Sequence, residues 1–153
     1  MKGLSQAVFG GWQVNGIVTV LSGRPFTPQY AAADVGQQRP DRVGDPRANI
    51  PAGLAFNPAA FARPQAADDG DFYGNAGRNI LIGPGFQNVD LSLFKTFTLK
   101  SRLRLQFRTE VFNILNHPNF QVPVFLLDNT NVGTYTSTAS NAREMQFALK
   151  LLF

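Results

Sequence analysis

The stretch RLRLQFRTEVF, residues 102–112, decides the fold class because its side chains alternate between polar and apolar. A helix would scatter both kinds around its circumference, whereas neighbouring side chains of a β-strand point to opposite faces. The stretch therefore predicts a strand with one polar and one apolar face. The polar row is Arg102, Arg104, Gln106, Arg108 and Glu110, and the apolar row is Leu103, Leu105, Phe107, Thr109 and Val111.

Three further segments share this alternation, and together the four predict an all-β, antiparallel fold. The predicted strands span about residues 12–21, 89–97, 102–113 and 143–153. Lys95 interrupts the apolar row of the second strand. The last strand keeps an uncharged apolar row, which is Met145, Phe147, Leu149, Leu151 and Phe153. Alternation alone also suits a sheet packed on a soluble core.

The connections between these strands differ greatly in length. Residues 98–101 form a short turn, whereas residues 22–88 and 114–142 form long loops. Loops this long are unusual in compact soluble domains, and short turns opposite long loops are typical of outer-membrane barrels. Four tilted strands about 4.8 Å apart would close a barrel of only ~4 Å radius, which is too narrow for side chains. We therefore predict a partial barrel, an arc of a larger transmembrane β-barrel.

The composition limits the other classes of function. The 153 residues include no cysteine, which excludes disulfides, thiolate zinc sites and cysteine nucleophiles. The net charge of +4 comes from scattered Lys and Arg, so no nucleic-acid partner is expected. His117 is the only histidine, and Asp68-Asp69-Gly70-Asp71 lacks EF-hand spacing, so that a solvated loop is favoured over a calcium site. We expect no catalytic residue, no cofactor and no metal site, and hence no enzyme.

Three stretches resemble the C-terminal end of TonB-dependent outer-membrane transporters, most closely the Oar-like subgroup abundant in Acidobacteria. They are GGWQVNGIVTVLSGRPFTP (residues 10–28), GNAGRNILIGPGFQNVDLSLFKTF (74–97) and LRLQFRTEVFNILNHPNF (103–120). The FNILN element at residues 112–116 and the terminal aromatic residue are common to many such transporters. The segments around Trp12 and Phe26 are more particular to the subgroup.

The resemblance implies a barrel of about twenty-two antiparallel strands around an N-terminal plug, in the outer membrane of a Gram-negative bacterium. Residues 1–153 would be the C-terminal part of this barrel, with loops 22–88 and 114–142 extracellular and residues 98–101 periplasmic. The row from Arg102 to Glu110 would face the lumen. Its arginines would pair with carboxylates of neighbouring strands and the plug, or guide an anionic solute.

The resemblance also implies partners for the last strand. Phe147, Leu149, Leu151 and Phe153 would form the signal that the barrel-assembly machinery binds by strand addition, while also facing outer-membrane lipid. These 153 residues contain no plug and no TonB-contacting box, so the TonB complex would act through a plug that lies elsewhere. The chain is thus expected to be a fragment that transports nothing alone. The alternative is a soluble β-sandwich module that binds carbohydrate or protein through its loops.

Overall fold

The computed structural model describes residues 5, 8–32, 36–64 and 73–153, and in these residues the predicted all-β class is confirmed. Four strands are long: β1 (Trp12–Leu21), β8 (Phe86–Lys100), β9 (Leu103–Phe112) and β10 (Glu144–Leu152). Six are short: β2 (Pro25–Phe26), β3 (Tyr30–Ala32), β4 (Gly36–Gln38), β5 (Asp41–Arg42), β6 (Phe61–Ala62) and β7 (Leu81–Ile82). A 3-10 helix spans Pro58–Ala60. No helix among the described residues is both long and apolar enough to cross a bilayer.

The chain divides into two compact units. The sheet unit comprises the described parts of Met1–Val20, Gln87–Pro118 and Ser140–Phe153. The loop unit comprises the described parts of Leu21–Phe86 and Asn119–Ala139.

The sheet unit is built on one four-stranded antiparallel sheet in the order β1-β8-β9-β10. Strands β8 and β10 both pair antiparallel with β9. Strand β1 runs antiparallel to β8, because Gly11 lies beside Thr96 whereas Gly16, further along β1, lies beside Asp90. Within the described residues β1 and β10 each have one strand neighbour, so the sheet is open at two edges. This is the architecture of the predicted partial barrel.

The hairpin between β8 and β9 is tighter than the predicted turn at residues 98–101. Strand β8 continues to Lys100, which pairs with Leu103, and a register shift after Thr98 leaves Leu99 as an extra residue. A bulge of this kind absorbs one residue and lets the ladder continue beyond it. The turn is therefore residues 101–102, and Arg102 lies outside the strand to which the sequence assigned it.

The loop unit has a hydrophobic core, whose buried residues all lie within the predicted loop of residues 22–88. Its strands pair as β2 with β7, β3 with β4 and β5 with β6. The ring of Phe56 lies 5.9 Å from that of Phe26 and 6.1 Å from that of Phe61, between centroids. The buried apolar side chains are Phe26, Phe56, Ala60, Phe61, Ala76 and Leu81. Aromatic packing thus orders a segment rich in proline and glycine.

An ion pair connects distant segments of the loop unit. Arg63 Nη2 lies 2.5 Å from Asp128 Oδ1, and the Arg63 guanidinium lies 4.6 Å from the centre of the Tyr30 ring. The Ala31 N–H donates to Asp128 Oδ2 at 2.8 Å. Burial raises the pKa of the Tyr30 phenol, the Asp128 carboxylate raises this pKa further, and Arg63 opposes both.

Candidate functional site: the two faces of the sheet

The polar face of the sheet carries side-chain hydrogen bonds that link β9 to both neighbouring strands. Arg108 Nε donates to Gln106 Oε1 at 2.8 Å, and Gln106 Nε2 donates to Thr96 Oγ1 on β8 at 3.3 Å. On β10, Gln146 Nε2 donates to Glu110 Oε2. The predicted polar row therefore extends over three strands, apart from Arg102 in the turn. Among the described residues its arginines form no ion pair, and Arg108 instead covers the Phe94 ring at 4.8 Å.

The apolar face is continuous because the registers of β8, β9 and β10 align three apolar rows. Leu91 pairs with Val111 and Val111 with Met145, and Phe97 pairs with Leu105 and Leu105 with Leu151. The Phe107 and Phe147 rings stack with centroids 6.3 Å apart. This face is solvent-accessible, with relative exposures of 61% for Met145, 64% for Phe147, 68% for Leu149 and 51% for Leu151. A contiguous exposed apolar surface of this kind is typical of a site that contacts a membrane or another protein.

Between Leu91 and Phe97, Lys95 is the one charged side chain in the β8 row of the apolar face, and its ammonium group is enclosed. Lys95 pairs with Phe107 in the row that continues to Leu149, yet it is only 3% exposed. Its Nζ donates to the carbonyl oxygen of Val8 at 2.9 Å and to that of Gly10 at 2.5 Å.

Two aromatic rings complete the enclosure of this ammonium group. Lys95 Nζ lies 4.8 Å from the centre of the Trp12 ring and 5.3 Å from that of Phe97. Trp12 is held by its own bond, from Nε1 to the carbonyl oxygen of Val8 at 2.9 Å. Carbonyl dipoles and ring faces stabilise a cation that has left water, so the single charge does not interrupt the apolar surface.

Two asparagines of the FNILN element end β9 and fix the chain beyond it. Asn113 and Asn116 have left-handed backbones, with φ of 50° and 49°, a conformation that asparagine tolerates better than most residues. Asn113 Nδ2 donates to the carbonyl oxygens of His117 and Asn141, at 3.1 and 3.0 Å, and the Asn113 N–H donates to Asp90 Oδ1 at 2.9 Å.

The second asparagine reaches the segment that leads into the last strand. Asn116 Oδ1 accepts from the Arg143 N–H at 3.0 Å. The FNILN element thus ties the end of β9 to β8 and to the start of β10. The one histidine, His117, serves here through its backbone, because its N–H donates to Asn113 Oδ1 at 3.0 Å.

A family model described as "Outer membrane beta barrel domain" matches residues 2–146. The chain belongs to this family. It is therefore an outer-membrane protein, and the open sheet is part of a barrel wall. No curated protein and no solved structure matches the barrel domain.

The structure also places the four residues of the predicted barrel-assembly signal. Phe147, Leu149 and Leu151 lie on the apolar side of edge strand β10, and Phe153, which follows that strand, is 98% exposed. Their role in assembly stays a prediction. The run Asp68-Asp69-Gly70-Asp71 lies outside the described residues. Among the residues that the structure describes, no group of three or more His, Cys, Asp or Glu side chains could hold a metal ion.

Proposed function

We propose that this chain is the C-terminal segment of the barrel of a TonB-dependent, Oar-like transporter in the outer membrane of a Gram-negative bacterium. Two findings support the proposal: the chain belongs to an outer-membrane barrel family, and its sheet, as the described residues form it, is open at both edges. The proposed class of transporter rests on the resemblance of residues 10–28, 74–97 and 103–120 to such transporters.

The observation that carries the proposal is the separation of the sheet into two chemically different faces. Barrel strands in the outer membrane alternate between an apolar side toward lipid and a polar side toward the lumen. We assign the face of Met145, Phe147, Leu149 and Leu151 to lipid. We assign the row of Arg104, Gln106, Arg108 and Glu110 to the lumen, with Arg102 at its end in the turn. Enclosure of Lys95 fits this assignment, because a free ammonium group in lipid is costly.

The proposed partners follow from the open edges and the two faces. Strands β1 and β10 would each pair with a further strand of the same barrel, and the polar face would contact the plug. The TonB complex would act on that plug. During assembly, the edge of β10 would add to a strand of the assembly machinery, with Phe147, Leu149, Leu151 and Phe153 filling pockets. Alone, the chain would transport nothing, and its role would not be enzymatic.

The coding sequence upstream of Met1 tests the transporter class. We expect the same reading frame to encode further alternating strands, a plug and a TonB-contacting box. A short upstream frame that encodes a complete small barrel without a plug would contradict the proposal.

The assignment of the faces has its own test. The chain has no cysteine, so Leu149→Cys and Lys150→Cys can each carry one environment-sensitive fluorophore in outer-membrane lipid vesicles. Nitroxide-labelled lipid should quench the label at 149 strongly and the label at 150 weakly. Equal quenching at both positions would refute the assignment.

A further inference from the structure

The loop unit contains a polar cleft that the sheet does not share. The cleft has a volume of about 550 Å³, within the range of small-ligand sites. Among the described residues, its wall includes two guanidinium groups, a phenol, a hydroxyl and carboxamides, and no carboxylate. We propose that this cleft binds an anionic saccharide, with a sugar carboxylate held by Arg39 and Arg78.

The first wall of the cleft is held rigidly by backbone pairing. The N–H groups of Gly74 and Ala76 donate to the carbonyl oxygens of Arg39 and Pro40, at 2.9 and 3.0 Å. Gly74 is required there, because a Cβ atom would overlap the carbonyl group of Pro40. Arg39 Nη1 donates to the Ala76 carbonyl oxygen at 3.0 Å, and its guanidinium lies 5.8 Å from the centre of the Tyr73 ring. Arg39 and Tyr73 are thus positioned together before any ligand binds.

A second segment that lines the cleft, around Asn79, places the other arginine by a similar device. Asn79 has a left-handed backbone with φ of 56°, and its N–H donates to Thr27 Oγ1 at 2.7 Å. This bond fixes the turn that carries Arg78. The Arg78 side chain is exposed and has no ion-pair partner in the described part of the chain. Its guanidinium is therefore available to a carboxylate, which it can bind in bidentate geometry.

The neutral side chains of the cleft favour a sugar over a simple anion. Gln29 lines the cleft and contributes a carboxamide to its wall. Gln37 and Asn79 add amide groups, and the Tyr73 ring offers a surface to the C–H groups of a pyranose. A phosphate ion would use the charge and leave the amides and the ring unused.

The test is calorimetric titration of the full 153-residue chain in micelles of a detergent without a sugar headgroup. Trigalacturonate should bind, and a neutral galactose trimer of the same length should bind at least about tenfold more weakly, because it lacks the charge-assisted bonds. Inorganic phosphate should compete poorly. Equal binding of the two trimers, or displacement of trigalacturonate by equimolar phosphate, would overturn the proposal.

Variants assign the binding to this cleft. Arg78→Gln should weaken trigalacturonate binding about tenfold without changing the circular dichroism spectrum, and Arg39→Gln should have a similar effect on affinity. Lys100→Gln removes one positive charge at the end of β8, in the sheet unit, and should bind as the parent does. Unchanged affinity in Arg78→Gln would place the ligand elsewhere. These results do not depend on the transporter proposal, since binding is measured without transport.

Discussion

At the scale of single residues, Lys95 joins the N-terminal segment to the sheet. Lys95→Met keeps the length of the side chain but removes two charge-assisted bonds to carbonyl oxygens of residues 8–10. Docking of this segment should weaken by about 1–3 kcal/mol, so the amides of Gly10 and Gly11 should exchange hydrogen faster. Lys150→Met, on the polar face, is the matched control and should leave this exchange unchanged. If these amides exchange as slowly in Lys95→Met as in the parent chain, Trp12 alone holds the segment.

Asn113 is the second residue whose substitution should change the stability of the chain strongly, and two substitutions separate its side-chain role from its backbone role. Asn113→Ala loses the side-chain bonds to His117 and Asn141 and places alanine, which tolerates the left-handed region less well than asparagine, at φ of 50°. It should therefore destabilise the chain in detergent by about 2–4 kcal/mol. Asn113→Gly relieves only the backbone cost and should recover about 1 kcal/mol of that loss. Chemical denaturation followed by circular dichroism measures both. Equal stability of the two variants would mean that the backbone conformation is not strained.

Neither residue could be assigned its role from the sequence, and the reasons differ. Lys95 is visible only as a break in an apolar row, since its partners are carbonyl oxygens, which every residue possesses. Asn113 lies in a recognisable FNILN element, and the frequency of asparagine in left-handed conformations is the signal that could have located the end of β9.

At the scale of elements, the two faces of β10 should respond in opposite ways to a new charge. Leu149→Arg places a guanidinium on the apolar face, which at mid-membrane depth costs about 2–4 kcal/mol. Gln146→Arg places the same group opposite Glu110 on the polar face. Flotation with lipid vesicles should recover at least about tenfold less of the first variant, and as much of the second as of the parent. Equal flotation of both variants would argue against a lipid-facing row.

The stability of the loop unit should depend on its own hydrophobic core and should not depend on the surface of the sheet. Phe56 is 1% exposed and packs between two other phenylalanines, so Phe56→Ala should destabilise this unit by about 3–5 kcal/mol. Limited proteolysis should then cut within residues 36–64 much faster. Phe147→Ala removes the same ring from an exposed position and should not change these cuts. If Phe147→Ala exposes the same sites, the two units do not fold separately.

These elements also show what periodicity can predict. The pairing of β8, β9 and β10 follows from matching apolar parities, because a slip of one residue would move every side chain to the wrong face. The core of the loop unit has no such signal. Phe26, Phe56 and Leu81 are far apart in sequence and lie in strands of two residues or in turns, so no local pattern marks them as neighbours.

At the scale of the whole molecule, the exposed apolar face and the two open edges predict aggregation in water. The net charge of +4 on 153 residues gives little repulsion to oppose it. The purified chain should sediment as large particles in buffer and give a β-sheet spectrum in detergent micelles. A compact monomer in buffer, with the amides of β10 protected from exchange, would contradict the barrel-wall interpretation.

One double variant separates the two causes of this aggregation. Phe147→Lys with Leu149→Lys makes the outer side of β10 hydrophilic and leaves every backbone group of its open edge in place. If the apolar face drives association, the soluble fraction in buffer should rise severalfold. If edge pairing drives it, the fraction should not change, because strand addition uses main-chain hydrogen bonds. We expect the first result, because four apolar residues of this row are more than half exposed. Along the same edge, Gln146 and Lys150 already place polar groups that disfavour pairing with another strand.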